Sequence, residues 1–189
     1  GAEEKPMKEE MKPAPETPYA ITKLLGEYYA NFFFEYHKLP TAVVRYFNVY
    51  GPNEYPGKYR NVIPNFFAKA LAGQPLPVMG DGSDSRDFTF VDDAVEGTIL
   101  TAEKPEAVGQ TFNIGRGSET KIIDLAKLTN KTAGNGDKIQ FVPKRSWDKI
   151  SRRTASVEKA KKLLGFEAKT PLEQGLHKTF EWIKTVSLK

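Results

Sequence analysis

Between Thr17 and His37 the apolar residues Ile21, Leu24, Leu25, Tyr28, Phe32 and Tyr36 recur at three- and four-residue spacing. That period predicts an α-helix with one buried stripe. Thr17 is placed to cap it, Pro18 fits its first turn, and "KLP" ends it. The next apolar run, "TAVVRYFNVYG", is β-branched and aromatic, lacks polar alternation, and stops at Gly51-Pro52. It predicts a fully buried strand of a parallel sheet. A helix leading into such a strand is half of a βαβ unit.

Helices and short strands then alternate. "NVIPNFFAKALAG" predicts a helix closed by Gly73, "LPVMG" a strand, and "RDFTFV" a strand with Phe88 and Phe90 on one face. "VDDAVEGTILTAEK" predicts a helix, "QTFNIG" a strand, and "SETKIIDLAKLTNK" a helix capped by Ser118. "KIQFVP" predicts a strand, "SVEKAKKLLGF" a helix ending at Gly165, and "PLEQGLHKTFEWIKTV" a last helix with Pro171 in its first turn. The fold class is α/β. Residues 1–16, "GAEEKPMKEEMKPAPE", are rich in proline and charge and read as an extended surface segment.

Composition narrows the chemistry. The chain has 189 residues, 39% hydrophobic and 28% charged, which suits one globular core. No apolar run approaches the roughly 20 residues of a membrane span, so no membrane partner is expected. Cysteine is absent, which excludes disulfides and thiolate chemistry in this sequence and fits a cytoplasmic protein. His37 and His177 have no ligand-like spacing, so neither a metal site nor a Ser-His triad is expected. The net charge of +4 comes mostly from lysines interspersed with glutamates, which reads as solvated surface. Only "KRSWDKISRR" concentrates positive charge as a nucleic-acid face would.

The candidate chemistry begins at "YAITK". Residues four apart on a helix share a face, so Tyr19 and Lys23 point the same way. A lysine ammonium and a helix N-terminus both favour a phenolate over a phenol, which would make the tyrosine a general base. Spacing alone leaves open a plain alternative, a tyrosine at the core edge above a surface lysine.

The motifs that follow change the weighting. In order, "PYAITK", "AVVRYFNVYGP", "NVIPNFF", "LPVMGDGSDSRDFTFVDDAVEG", "TFNIGRG", "KRSWD" and "KAKKLLGF" resemble the extended short-chain dehydrogenase/reductases, specifically the NAD-dependent nucleotide-sugar epimerases and dehydratases. The resemblance runs from about residue 13 to 184. It implies the C-terminal part of a Rossmann-like, doubly wound parallel sheet, here residues 17–60. A small mixed α/β substrate-binding domain would occupy mainly 61–189, with 86–115 returning to the sheet.

The resemblance also implies roles. Tyr19 and Lys23 match the catalytic pair, the lysine also holding the nicotinamide ribose. Tyr46 and Phe47 fall on the strand end bordering NAD, and Asn48 at a position touching the sugar or its phosphates. Asn61 and the Val62 backbone match a diphosphate contact, although Asn61 could equally cap a helix. Val78 and Met79 flank the base. Arg86 matches a phosphate-binding arginine, the plain alternative being an ion pair with Asp84 or Asp87. Arg145 matches a second one, and Asp148 an acceptor for the nucleotide ribose. The basic run is then a pyrophosphate clamp, not a nucleic-acid patch. Arg152 falls where some relatives carry an aromatic residue, and one arginine of "SRR" is a candidate addition to the clamp.

Two family features are absent from these 189 residues: the G-x-x-G-x-x-G cradle for NAD, and the serine or threonine strand that precedes Y-x-x-x-K. By the family's usual domain size, about 110–130 residues ahead of Gly1 would carry them. The expected parent enzyme is a UDP-sugar 4-epimerase. UDP-glucuronate decarboxylase and dTDP-glucose 4,6-dehydratase are alternatives, and a non-catalytic nucleotide-sugar-binding remnant is a further one. The chain alone is expected to be inactive. The aromatic run "YYANFFFEY" predicts a homodimer through the Tyr-Lys helix.

Overall fold

Thr17 Oγ1 accepts the Ala20 N–H at 3.2 Å and starts α1, Pro18–His37, with Pro18 at its first position. This computed structural model describes residues 6–57, 61–144 and 151–187. The helix ends at Lys38, whose left-handed backbone returns its N–H to Phe33 O.

The predicted stripe of α1 is only in part the face that meets the protein. Leu24 is half-buried, but Ile21, Leu25, Tyr28, Phe32 and Tyr36 are exposed. The face turned inward is Ala20, Leu24, Glu27, Ala30 and Phe34, again at helical spacing. Glu27 is held there by Arg45, which donates from Nη2 at 2.6 Å and Nε at 2.8 Å. Thr41 Oγ1 reaches Ala30 O.

The run after α1 is two strands rather than one. β1 (Val43–Tyr46) pairs in parallel with β6 (Thr111–Ile114), and β2 (Val49–Tyr50) pairs in parallel with β5 (Thr89–Phe90). The break falls at Asn48, in left-handed backbone at φ 34°, a region asparagine tolerates better than most residues. The break lets one run feed two sheets. Val43 and Val44 are half-buried and Tyr46 half-exposed, against the expectation of full burial, because among the described residues β1 has a strand neighbour on one side only. "RDFTFV" divides likewise, into β4 (Ser85–Arg86) and β5.

α2 (Val62–Leu71), β3 (Leu76–Met79), α3 (Val91–Glu103), β7 (Thr120–Lys121), α4 (Ile122–Ala133), β8 (Ile139–Val142), β9 (Arg152–Arg153), α5 (Glu158–Leu164) and α6 (Leu172–Ser187) complete the order. α4 does not start at Ser118. Thr120 and Lys121 pair instead with β4, and the first helical N–H groups, of Ile122 and Ile123, go to the carbonyls of Asp84 and Gly82. Gly82 is needed there. It sits at φ 76°, and a Cβ would meet Ile123 and Val78 at 2.7 Å. α6 begins at Leu172, with Pro171 ahead of it accepting the Gly175 N–H.

Two apolar clusters hold these elements. The larger joins Phe66 and Phe67 of α2, Leu125 of α4, Leu176 and Ile183 of α6, and Leu76 and Val78 of β3. Each such fully buried side chain contributes about 1.5–3 kcal/mol. The smaller joins Phe112 and Ile114 of β6 with Ala94 of α3, and Ala160, Leu164 and Phe166 from α5 and its exit.

The segment ahead of α1 turns at Glu9–Glu10, where the Met11 N–H meets Lys8 O at 3.3 Å, and its described part is docked on the protein. Met7 bridges in parallel to Ala155, donating to Thr154 O and accepting from Ser156 N, each at 2.8 Å. Its carbonyl also accepts from Asn113 Nδ2. Glu9 accepts the Asn113 N–H at 2.9 Å through its carboxylate, and an Arg45 N–H through its backbone oxygen.

Candidate active site

The first turns of α1 and the end of β1 face one another across a cavity of about 390 Å³. Tyr19, Lys23, Tyr46 and Phe47, the four residues expected at the cofactor, all line it. The remaining wall includes Met7, Met11 and Pro13 of the docked segment, with Arg45 and Asn113. Lys23 Nζ lies 5.4 Å from the centre of the Tyr19 ring, so the pair is on one face as the spacing requires. Tyr19 is 72% exposed, which leaves its hydroxyl open to a ligand. The Tyr46 hydroxyl shares a hydrogen bond of 2.8 Å with Thr98 Oγ1, which fixes that ring at the cavity edge.

Arg45 fastens this cavity. One of its edges holds Glu27 on α1, and Nη1 holds the Glu9 carbonyl. Its hydrogen bonds with Glu27 hold the guanidinium charged, above even its ordinary value. Helix, strand and docked segment therefore meet on one cation.

Among the described residues, those expected at the substrate lie on other elements and do not line this cavity. Asn48 is the break between β1 and β2. Asn61 stands at the N-cap of α2 but makes no capping bond. Its Nδ2 donates to Val49 O at 3.2 Å and to Glu54 Oε1 at 2.8 Å. With both amide protons engaged, what Asn61 presents outward is its carbonyl oxygen, which suits a hydroxyl better than a phosphate. Val62 opens α2 half-buried. Val78 is fully buried in the larger cluster, so it could meet a base only through its backbone, whereas Met79 is half-buried beside it.

Arg86 is half-buried on β4, and its Nη1 donates to Ser85 O and Ser151 O. Among the hydrogen bonds described, Asp84 pairs with Lys144 at 2.6 Å and Asp87 accepts only backbone N–H groups. Arg145 and Asp148 lie outside the described residues.

Sequence reasoning missed Asp87 as an organiser. It is fully buried, and it accepts the N–H groups of Arg116, Gly117 and Ala155 at 2.9–3.1 Å. Burial pushes its carboxyl up, and the three N–H groups pull it back down. It joins the turn after β6 to the segment after β9, directly beside Arg86. The only signal in the sequence was an acid next to an arginine, and that points to a local ion pair instead.

A sequence model of the NAD dependent epimerase/dehydratase family matches residues 1–115. The chain belongs to that family. NAD is the family's cofactor. The chain is 35% identical over 182 residues to a UDP-glucose 4-epimerase of Mycolicibacterium smegmatis, matching 96% of this chain and 58% of that protein. It is 36% identical over 173 residues to a UDP-N-acetyl-alpha-D-glucosaminuronate decarboxylase of Bacillus cytotoxicus, matching 89% of this chain and 53% of that protein.

Its fold superposes on the crystal structure of a UDP-glucose 4-epimerase with UDP-glucose from Thermotoga maritima, at a TM-score of 0.93 and 34% identity. That match covers 100% of this chain and 60% of the other. The architecture is thus the Rossmann-like α/β fold of these epimerases. The chain spans a little over half the length of the relatives it matches. Relatives at similar identity carry out epimerisation and decarboxylation, so the family is fixed and the individual reaction is not.

Proposed function

We propose that this chain carries the base pair and part of the nucleotide-sugar site of a UDP-sugar 4-epimerase. The observation that carries the reading is the convergence of Tyr19, Lys23, Tyr46 and Phe47 on one cavity. The 35% identity to a UDP-glucose 4-epimerase over 96% of the chain is consistent with this reaction and does not separate it from the family's alternatives, UDP-glucuronate decarboxylase and dTDP-glucose 4,6-dehydratase. In this reading residues 17–60 belong to the dinucleotide-binding part and 61–189 mainly to the sugar-nucleotide part. The β1–β6 ladder supports the return of 86–115 to the sheet.

The residues fit one end of NAD. Aromatic walls from Tyr46 and Phe47, beside a hydroxyl and an ammonium, suit a flat ring and its ribose. The phosphate cradle is not among these 189 residues, and we place it in a segment outside them. When bound, the cofactor supplies the hydride acceptor for oxidation at sugar C4. Tyr19 Oη takes the proton of the C4 hydroxyl and later returns it. Lys23, its ammonium beside the Tyr19 ring, anchors the ribose. Arg86 and Arg145 bind the diphosphate, Asp148 the nucleotide ribose, and Asn48 and Asn61 the sugar end. Val62, Val78 and Met79 border the nucleotide.

The test is turnover of UDP-glucose to UDP-galactose by a protein in which this chain is joined to a dinucleotide-binding half. Tyr19→Phe is expected to lower kcat by about 10²–10⁴-fold with little change in UDP affinity. Unchanged kcat would remove Tyr19 from the mechanism.

A further inference from the structure

We propose that Glu54 is a positioning residue for sugar recognition: it turns the Asn61 amide so that a carbonyl oxygen, not an N–H, meets the ligand. The inference rests on the nucleotide-sugar reading above, which puts Asn61 at the sugar end.

Glu54 is half-buried in the loop that leaves β2. β2 and β5 run parallel and end together at Tyr50 and Phe90. A cavity of about 300 Å³ opens just beyond them, lined by Val49, Gly51, Glu54 and Val91 among others. The crevice beyond the carboxyl ends of parallel strands is where α/β folds receive ligands. Gly51 lets the loop start there, because a Cβ on it would overlap the Val91 side chain.

The loop is then carried to the start of α2. Asn53 turns it in left-handed backbone at φ 73°, which asparagine tolerates. Gly57 donates its N–H to Asn65 Oδ1 at 2.9 Å and accepts from Asn65 Nδ2 at 3.0 Å. The same Nδ2 donates to Asn61 O at 3.0 Å, so loop and first helical turn are tied through one amide.

That tie leaves Glu54 facing the Asn61 side chain. Glu54 Oε1 accepts from Asn61 Nδ2 at 2.8 Å and from the Asn61 backbone N–H at 3.4 Å. The second amide proton goes to Val49 O at 3.2 Å. An ionised carboxylate only accepts, so the amide must show it protons, whatever else the carboxylate binds. Without Glu54 the amide could turn over and offer N–H groups, which suit phosphate oxygens. Held by Glu54 it offers Oδ1, which takes a proton from a sugar hydroxyl. A Glu54 that only braced the loop would act on all ligands alike. A Glu54 that orients Asn61 acts on the sugar and not on the diphosphate.

The experiment is calorimetric titration of the 189-residue chain with UDP-glucose and with UDP. Wild type is compared with Glu54→Ala, Glu54→Leu, Glu54→Gln, Asn61→Ala and the Glu54→Ala/Asn61→Ala double variant, each first shown to melt like wild type. Glu54→Ala and the bulkier Glu54→Leu both remove the acceptor, so either one that folds serves. Loss of one hydroxyl contact predicts UDP-glucose affinity roughly three- to tenfold weaker, with UDP affinity unchanged. Glu54→Gln recovers most of the loss, because its carbonyl oxygen can still take the Asn61 N–H. In the Asn61→Ala background Glu54→Ala adds less than about twofold. The inference is overturned if the Glu54 variants bind UDP-glucose like wild type, lose UDP and UDP-glucose equally, or keep their full effect without Asn61. Each of those results leaves the nucleotide-sugar reading intact. A folded wild-type chain that binds neither ligand overturns that reading, and the inference with it.

Discussion

α1 and α6 are both long helices rich in apolar side chains, yet they end in opposite environments. α6 buries Leu176 and Ile183 completely between α2 and α4. α1 buries none of its residues fully and turns Leu25, Tyr28, Phe32 and Tyr36 outward, with Phe32 and Tyr36 stacked on each other at 4.8 Å. The difference lies in the neighbours rather than in the helices. Hydrophobic spacing says where apolar groups sit on a helix, and only the rest of the assembly says what covers them. Such a face is costly in water. We propose a second copy of the chain and the dinucleotide-binding half as what covers it.

The comparison breaks most visibly at α6. Leu176→Ala removes a fully buried side chain and is expected to destabilise the chain by about 2–5 kcal/mol in denaturant unfolding. A loss below about 1 kcal/mol would mean that the α2–α4–α6 cluster is not the seat of stability.

Acid sharpens the comparison, because the folded side of the molecule contains the Glu119–Arg152 knot. The bond from Arg152 lowers the Glu119 carboxyl below its ordinary 4.5. A lowered carboxyl contributes stability that is present above its unfolded value and is lost as pH falls through its folded value. Wild type is therefore expected to exceed Glu119→Gln in stability at pH 7, with the gap closing as pH falls below about 4.5. Thermal melts across pH 3–7 check this, and a gap independent of pH would contradict it.

The smallest effect on stability is expected at α1. Phe32→Ala, at a side chain 46% exposed, should change unfolding free energy by less than about 0.5 kcal/mol. It should instead weaken self-association in sedimentation velocity. A sedimentation coefficient that is monomeric and concentration-independent in wild type would argue against a second copy on this face.

What was legible in the sequence follows the same division. The start of α1 was, because Thr17 and Pro18 act within one turn of themselves. The cap of α4 was not, because its N–H groups are satisfied by the carbonyls of Asp84 and Gly82, nearly forty residues away in the chain, and Ser118 is bypassed. The break at Asn48 was hidden inside a continuous apolar run, since pairing with two different strands leaves no mark on the spacing.

The site divides likewise. Tyr19, Lys23, Tyr46 and Phe47 were readable as a set and share a cavity. Asp87 and Glu9 were not, because an acid that accepts distant backbone N–H groups looks in sequence like any surface acid.

On the proposed reading this chain carries the Tyr19–Lys23 pair and part of the nucleotide-sugar site but not the cradle for the cofactor's phosphates. Paired titrations of the 189-residue chain with UDP-glucose and with NAD test it most directly. The account predicts saturable binding of UDP-glucose at one site per chain and no saturable binding of NAD. Stoichiometric NAD binding without binding of UDP-glucose would contradict it.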